Sequence, residues 1–184
     1  DLFNRVVWQL RTRSDVKVFA WMPLLAFTGE TTRPEWQLLQ LVDNDAAMDA
    51  SGEPRLSVFV PEARQFIKDI YADLGTNAPI DGIHFHDDGR MNEFEDANPA
   101  AIAAYHAVFG ADFDMNKVLT DESLLQSWST FKAKALTDFS LELAAVVATK
   151  RPGLQVSRNL FASAVLDDRS ITYLAQDFDA YLAS

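Results

Sequence analysis

Three short apolar runs, separated by long stretches of helical period, restrict the fold of this chain more than any other feature. Residues 16–23, "VKVFAWMP", alternate Val16, Val18, Ala20 and Met22 with Lys17, Phe19 and Trp21 and close on Pro23, the pattern of a buried strand. Residues 80–88, "IDGIHFHDD", form a second run, and residues 154–162, "LQVSRNLFA", begin as a third. Between and around them the apolar period changes to three or four. Leu2, Phe3, Val6, Val7 and Leu10 share one face over residues 2–13, with Arg11 and Arg13 near the C-terminal end, where cations are favoured. Pro61 starts a helix over 61–74 on Ala63, Phe66, Ile67, Ile70 and Leu74. Further helices are expected over about 99–109, about 121–149 and about 170–182, the second carrying a core stripe from Leu124 through Trp128, Phe131, Ala135, Phe139 and Leu143 to Val146.

Helix and strand in alternation predict an α/β fold with a parallel sheet. Only three strands are visible, whereas a closed (β/α)8 TIM-type barrel needs eight and typically about 250 residues. The chain is therefore either a small open α/β domain or part of a larger barrel. With 184 residues it makes up one domain or a large piece of one. Residues 28–56, with "TGETTRPEW" and "DNDAAMDASGEPR" around a short apolar patch, read as a long loop insertion, either functional or a plain surface excursion.

Composition removes several function classes. A net charge of −11 repels nucleic acid and anionic membranes and suits a neutral or cationic ligand. The absence of Cys excludes disulfides, thiolate zinc sites and a cysteine nucleophile. There is no apolar run of 18 residues, no glycine-rich phosphate loop and no G-x-S-x-G elbow. Because the sequence opens on Asp1, a removed signal or an upstream domain is compatible with it.

The second strand carries the chemistry. Strand alternation puts His84, His86 and Asp88 on one face and Ile83, Phe85 and Asp87 on the other. In a barrel, a polar row reaching the C-terminal end of a strand is where catalytic groups gather. Asp88, just before Gly89, can reach a ligand from there as a general acid, or Asp87 and Asp88 can merely cap a turn. Asp81 at the strand entry is either a turn residue or part of the site, and His84 and His86 either satisfy the core or orient Asp88 and touch substrate. At the ends of the other strands, Trp21 can stack on a sugar or pack in the core. Arg158 and Asn159 can bond hydroxyl groups, Arg158 alternatively pairing with an acid. His-x-His-Asp-Asp also resembles part of a dinuclear metallohydrolase cluster, but the third histidine, His106, falls within a helix, so no metal or other cofactor is expected.

Four ordered blocks, "DLFNRVVWQLRTRSDVKVFAWMPLLAF", "DGIHFHDDGRMNEFEDAN", "FKAKALTDFSLELAAVV" and "SRNLFASAVL", together resemble the C-terminal domain of PgaB-type proteins, which process poly-β-1,6-N-acetyl-D-glucosamine in Gram-negative biofilm formers. The resemblance implies a (β/α)8 barrel of glycoside hydrolase family 153 that cleaves the partially de-N-acetylated polymer, with this chain as its central part. It further implies a periplasmic or outer-membrane-associated location, a metal-dependent deacetylase domain on the N-terminal side, and polysaccharide and export machinery as partners. The F-H-D-D block of that family carries the essential acid, which falls on Asp87-Asp88. The spacing is also similar to the D-G-x-D-x-D-x-E strand of family 18 chitinases. Aligning Asp81-Gly82 then puts Asp88 at the proton donor, with His84 and His86 in place of the two intermediate acids.

The expectation is therefore Asp88 as acid, Asp87, His86 and Asp81 positioning it or touching sugar, and Trp21, Arg158 and Asn159 lining the cleft. The alternatives are a non-catalytic polysaccharide-binding module of the same export system and a metal-dependent hydrolase.

Overall fold

The computed structural model describes residues 2–29, 33–48 and 52–183. Three strands, β1 (Phe19–Met22), β4 (Gly82–Phe85) and β5 (Gln155–Arg158), form a parallel sheet in the order β1-β4-β5. The register aligns Trp21, His84 and Ser157 in one row across the sheet and Met22, Phe85 and Arg158 in the next. Parallel pairing needs a long crossover between successive strands, and the helices supply it.

The first crossover ends in α2 (Pro61–Asn77), which Pro61 opens at its first turn, where the missing N–H would be unpaired in any case. The second contains α3 (Pro99–Phe109), the short α4 (Met115–Val118) and α5 (Glu122–Ala148). Asn98 caps α3 by accepting from the Ala100 N–H, and Asp121 caps α5 by accepting from Leu124. Ala20, Ile83 and Phe85 on one face of the sheet pack with Ala63, Ile67 and Tyr71 of α2 and Leu136, Phe139 and Leu143 of α5. A second core joins Ala101 and Tyr105 of α3, Val118 of α4 and Trp128 of α5. The other sheet face, with Phe19, Trp21 and Ser157, carries no helix among the described residues. α1 (Leu2–Arg13) is tied to the start of the sheet by Arg11, which pairs with Asp81.

The α/β class and the main helices follow the periodicity. Two expectations need correction. Residues 28–56 are not a plain loop: they contain a 3-10 turn (Pro34–Trp36) and an antiparallel hairpin of β2 (Gln40–Val42) and β3 (Asp45–Ala47). Asp43 and Asn44, with φ of 50° and 70°, make its two-residue turn, both in the left-handed region that primed hairpin turns require. Over 170–182 there is no single helix. α6 (Ser163–Leu166) comes first, and then α7 (Ser170–Leu174) and α8 (Phe178–Leu182) are separated by Ala175 at φ 49°. The described residues contain three strands of a parallel sheet, so a closed barrel is not visible within them.

Candidate active site

The C-terminal edge of the sheet gathers most of the residues singled out above. His84 and His86 share a face, as do Ser157 and Asn159, since both chains continue extended for one residue past their strands. The His86 N–H donates to the Met22 carbonyl at 2.9 Å and the Asn159 N–H to the Phe85 carbonyl at 3.0 Å. The His84 ring is fully engaged: Nε2 lies 2.9 Å from Asn159 Oδ1 and Nδ1 2.8 Å from Ser157 Oγ. An amide oxygen can only accept, so Nε2 carries the proton toward Asn159. His84 is thus an oriented ring that ties β4 to β5.

His86 occupies the next level up. Its ring centroid is 4.8 Å from that of Trp21, which is 62% exposed, and its Nδ1 donates to Asp87 Oδ1 at 2.8 Å. Trp21 does not pack in the core. It presents an indole face at the sheet edge with a histidine and a half-exposed carboxyl beside it, a combination suited to stacking on a sugar ring while a carboxyl reaches its glycosidic oxygen.

Asp88 takes a different position from the expected one. The strand ends at Phe85, and a turn over Asp87 and Asp88 breaks the alternation. Asp88 is 8% exposed and points back under the segment leaving β1. Its Oδ1 accepts the Leu24 N–H at 2.9 Å, and its Oδ2 accepts those of Leu25 and Ala26 at 2.5 and 2.6 Å. With both oxygens bonded to backbone donors, Asp88 is placed as the anchor of the β1 outlet, and the carboxyl open to a ligand is that of Asp87.

Two further residues lie away from the edge. Asp81 sits at the opposite end of β4, where Oδ2 accepts the Val18 N–H at 2.9 Å and Oδ1 pairs with Arg11. The Val18 hydrogen bond, followed by Arg11, holds its carboxyl below the usual carboxylate range. Arg158 falls on the sheet face opposite Ser157. Its Nη2 donates to the Gly89 carbonyl at 2.7 Å and its guanidinium lies over the Tyr181 ring at 4.4 Å, so it braces the loop after the acids from below. A Cβ at residue 89 would stand 2.4 Å from Arg158 Nη2 and 2.5 Å from Leu24 Cδ2, so the ends of both side chains would have to shift to admit one.

The turn after β4 also divides the His-x-His-Asp-Asp cluster: His84 turns to Ser157 and Asn159, while Asp88 turns to the amides, with His86 Nδ1 3.7 Å from its Oδ1. Among the described residues no three His, Asp or Glu side chains converge at metal-ligand spacing. His106 contacts the Phe113 carbonyl at 3.2 Å, away from this edge.

Behind the turn lies a buried polar cluster that the sequence reading did not single out. Glu95 is paired with Arg55 at 2.7 Å, and Lys132 of α5, fully buried, donates to the carbonyls of Asn92 and Glu95 at 2.7 and 2.6 Å. Asp96 accepts the N–H groups of Leu39 and Asn98 at 3.1 and 2.8 Å. Burial pulls the Lys132 ammonium down to about 7 and pushes the Asp96 carboxyl up to about 6.

Comparison with known proteins places these features in a family. The model of the family described as hypothetical glycosyl hydrolase family 13 matches residues 1–184. Poly-beta-1,6-N-acetyl-D-glucosamine N-deacetylase of Escherichia coli K12 is 37% identical over 185 residues, covering 100% of this chain and 27% of its own length, and the O157:H7 protein matches equally. The chain thus spans about a quarter of the curated relatives it matches. The PgaB (BpsB) glycoside hydrolase domain of Bordetella bronchiseptica superposes with a TM-score of 0.88 at 36% identity, over 100% of this chain and 53% of that one. Alpha-L-fucosidase isoenzyme 2 of Paenibacillus thiaminolyticus, at a TM-score of 0.54 and 14% identity, shares the fold over 78% of this chain and 20% of its own.

Proposed function

The chain belongs to the PgaB-type glycoside hydrolase family, and from that premise we propose that it is the central part of a (β/α)8 barrel that cleaves partially de-N-acetylated poly-β-1,6-N-acetyl-D-glucosamine within the chain. The observation that carries this reading is the arrangement of Trp21, His86 and Asp87 at the C-terminal edge of a parallel sheet, the edge at which barrel enzymes place their chemistry. Asp87 protonates the glycosidic oxygen as general acid, His86 orients its carboxyl through Nδ1, and Trp21 stacks on the sugar. His84 and Asn159 line the floor of the groove.

Glycoside hydrolysis by the common route uses two carboxyl groups. Asp87 supplies one, and we assign the second to the remainder of the domain, of which this chain is about half by comparison with the Bordetella structure. Free amines on a de-N-acetylated polymer are cationic, and a chain of net charge −11 attracts them. Polymer of that kind arises by deacetylation, which fits a deacetylase domain on the same polypeptide, a periplasmic setting and export machinery as the next partner.

The test incubates the complete domain, wild type and Asp87→Asn, with partly deacetylated β-1,6-glucosamine oligomers and reads product masses. Shortening by wild type and loss of it in the variant support the reading. Oligomers that bind to both proteins but stay intact would instead identify a polysaccharide-binding module.

A further inference from the structure

Four main-chain carbonyls in residues 89–95, the loop that follows the Asp87-Asp88 turn, are held by the buried side chains of Arg55 and Lys132 and the half-buried one of Arg158, from three separate parts of the fold. Arg158 of β5 donates to Gly89 at 2.7 Å, Arg55 to Arg90 at 2.5 Å, and Lys132 of α5 to Asn92 and Glu95. The Lys132 ammonium has three N–H donors. Two serve the carbonyls, and it stands 3.6 Å from the centroid of the Trp128 ring, whose π face takes the remaining charge.

Such a cluster is a poor route to stability. A buried cation loses its hydration, and an apolar side chain of similar volume at position 132 would fill the same space without that loss. What the cations provide that an apolar residue cannot is direction: each fixes a carbonyl, and so the path of the backbone between them. A loop could otherwise turn its carbonyls to solvent in several ways, each presenting Asp87 differently.

We propose that Lys132, Arg55 and Arg158 are positioning residues that together clamp the 89–95 loop and thereby set the direction of the Asp87 carboxyl against the Trp21–His86 pair. The proposal rests on the reading of Asp87 given above. It also reassigns Arg158 from a sugar contact to a support beneath the loop. None of the three touches substrate, and none is interchangeable with a neighbour, because each enters from a different element.

The test uses the complete domain, wild type and Lys132→Met, with two readouts: amide hydrogen exchange by peptide mass spectrometry, and kcat and KM on partly deacetylated β-1,6-glucosamine oligomers. Exchange in peptides spanning 89–95 is expected to rise about tenfold or more, with the amides of β1, β4 and α5 unchanged. kcat is expected to fall about tenfold or more while KM stays within about threefold. Unchanged exchange in 89–95 overturns the proposal, as does a loosened loop with wild-type kcat. A uniform rise in exchange across the sheet and helices overturns it too, because that is the result of a merely structural lysine. Should Lys132→Met not fold, Arg55→Lys keeps the charge beside Glu95 but cannot span both Glu95 and the Arg90 carbonyl, and the same outcomes apply. A wild-type protein that leaves the oligomers intact would overturn the hydrolase reading, and the exchange measurement would still decide the clamp.

Discussion

Replacing each of the two adjacent acids by asparagine separates their roles, because the structure assigns them different energies. In Asp88→Asn a single carbonyl oxygen must replace two carboxylate oxygens. The better orientation leaves it on the Leu25 and Ala26 amides and turns the new NH2 group against the Leu24 N–H. One charge-assisted hydrogen bond is lost, worth about 1.5–3 kcal/mol, a buried donor is left facing another donor, and the remaining two bonds weaken on loss of the charge. The total is about 3 kcal/mol, which at about 2–4 °C for each kcal/mol lowers Tm by about 6–12 °C. Asp87, half-exposed and bonded to His86, loses under about 1 kcal/mol in Asp87→Asn, or at most about 4 °C. Activity should divide the other way. Loss of a general acid removes about 100-fold or more in Asp87→Asn, while Asp88→Asn, assayed well below its Tm, retains the greater share. Differential scanning fluorimetry and oligomer cleavage on the same preparations decide it. An Asp88→Asn protein as stable as wild type and inactive, beside an active Asp87→Asn protein, would refute the assignment.

Other consequences can be checked on the same domain. Lys132 keeps its proton to 10.5 when unfolded but only to about 7 when folded, so between those values the unfolded chain binds more protons and stability rises with pH. The wild-type gain from pH 7 to 9 should therefore exceed that of Lys132→Met by roughly 2 kcal/mol in urea unfolding, and equal slopes would contradict the burial argument. For Asp81, whose carboxyl is lowered in the fold from 3.8, the contribution is present above that value and is lost as pH falls through the folded value. Asp81→Asn should flatten the acid limb of the stability profile and leave neutral-pH activity intact. Tyr71→Phe removes the hydroxyl that donates to the Pro23 carbonyl at 2.7 Å and should cost about 1 kcal/mol by denaturant unfolding, with oligomer cleavage unchanged. Trp21→Ala removes exposed aromatic surface from the sheet edge and should weaken oligomer binding by about tenfold in a titration, with little change in Tm.

Periodicity made the scaffold legible where burial is one-sided. The faces of α2 and α5 follow from spacing, whereas β1, expected as a buried strand over 16–23, spans only Phe19–Met22 with Phe19 and Trp21 exposed, because the core lies on one side of the sheet. The hairpin in residues 28–56 was missed although Asp43-Asn44 is a recognisable turn pair, since its strands are three residues each, too short for a period to register. The break at Ala175 had no signal: an alanine in the left-handed region carries none of the marks of glycine or proline, and its conformation is imposed by tertiary packing. At the site, alternation correctly joined His84 with His86, and the same rule would have paired Ser157 with Asn159 and set Arg158 on the opposite face. The surroundings of Asp88 had no signal, because its partners lie more than 60 residues earlier in the chain, in amides that look like those of any other loop. The Lys132 cluster was hidden for a related reason, a lysine among apolar helix residues being indistinguishable from a solvated one until the loop that folds over it is in place.

The two faces of the sheet have separate obligations. Substitutions at Ala20, Ile83 or Phe85 must satisfy the packing of two helices, whereas Trp21, His84 and Ser157 answer to neighbours on their own face, His86 and Asn159 among them, and to whatever binds there. Such a scaffold can change what it recognises without renegotiating how it folds. Divergence among relatives could therefore alter the sugar or linkage accepted by exchanging a handful of outward side chains, and a library confined to those positions would explore new specificities at little risk to the architecture beneath.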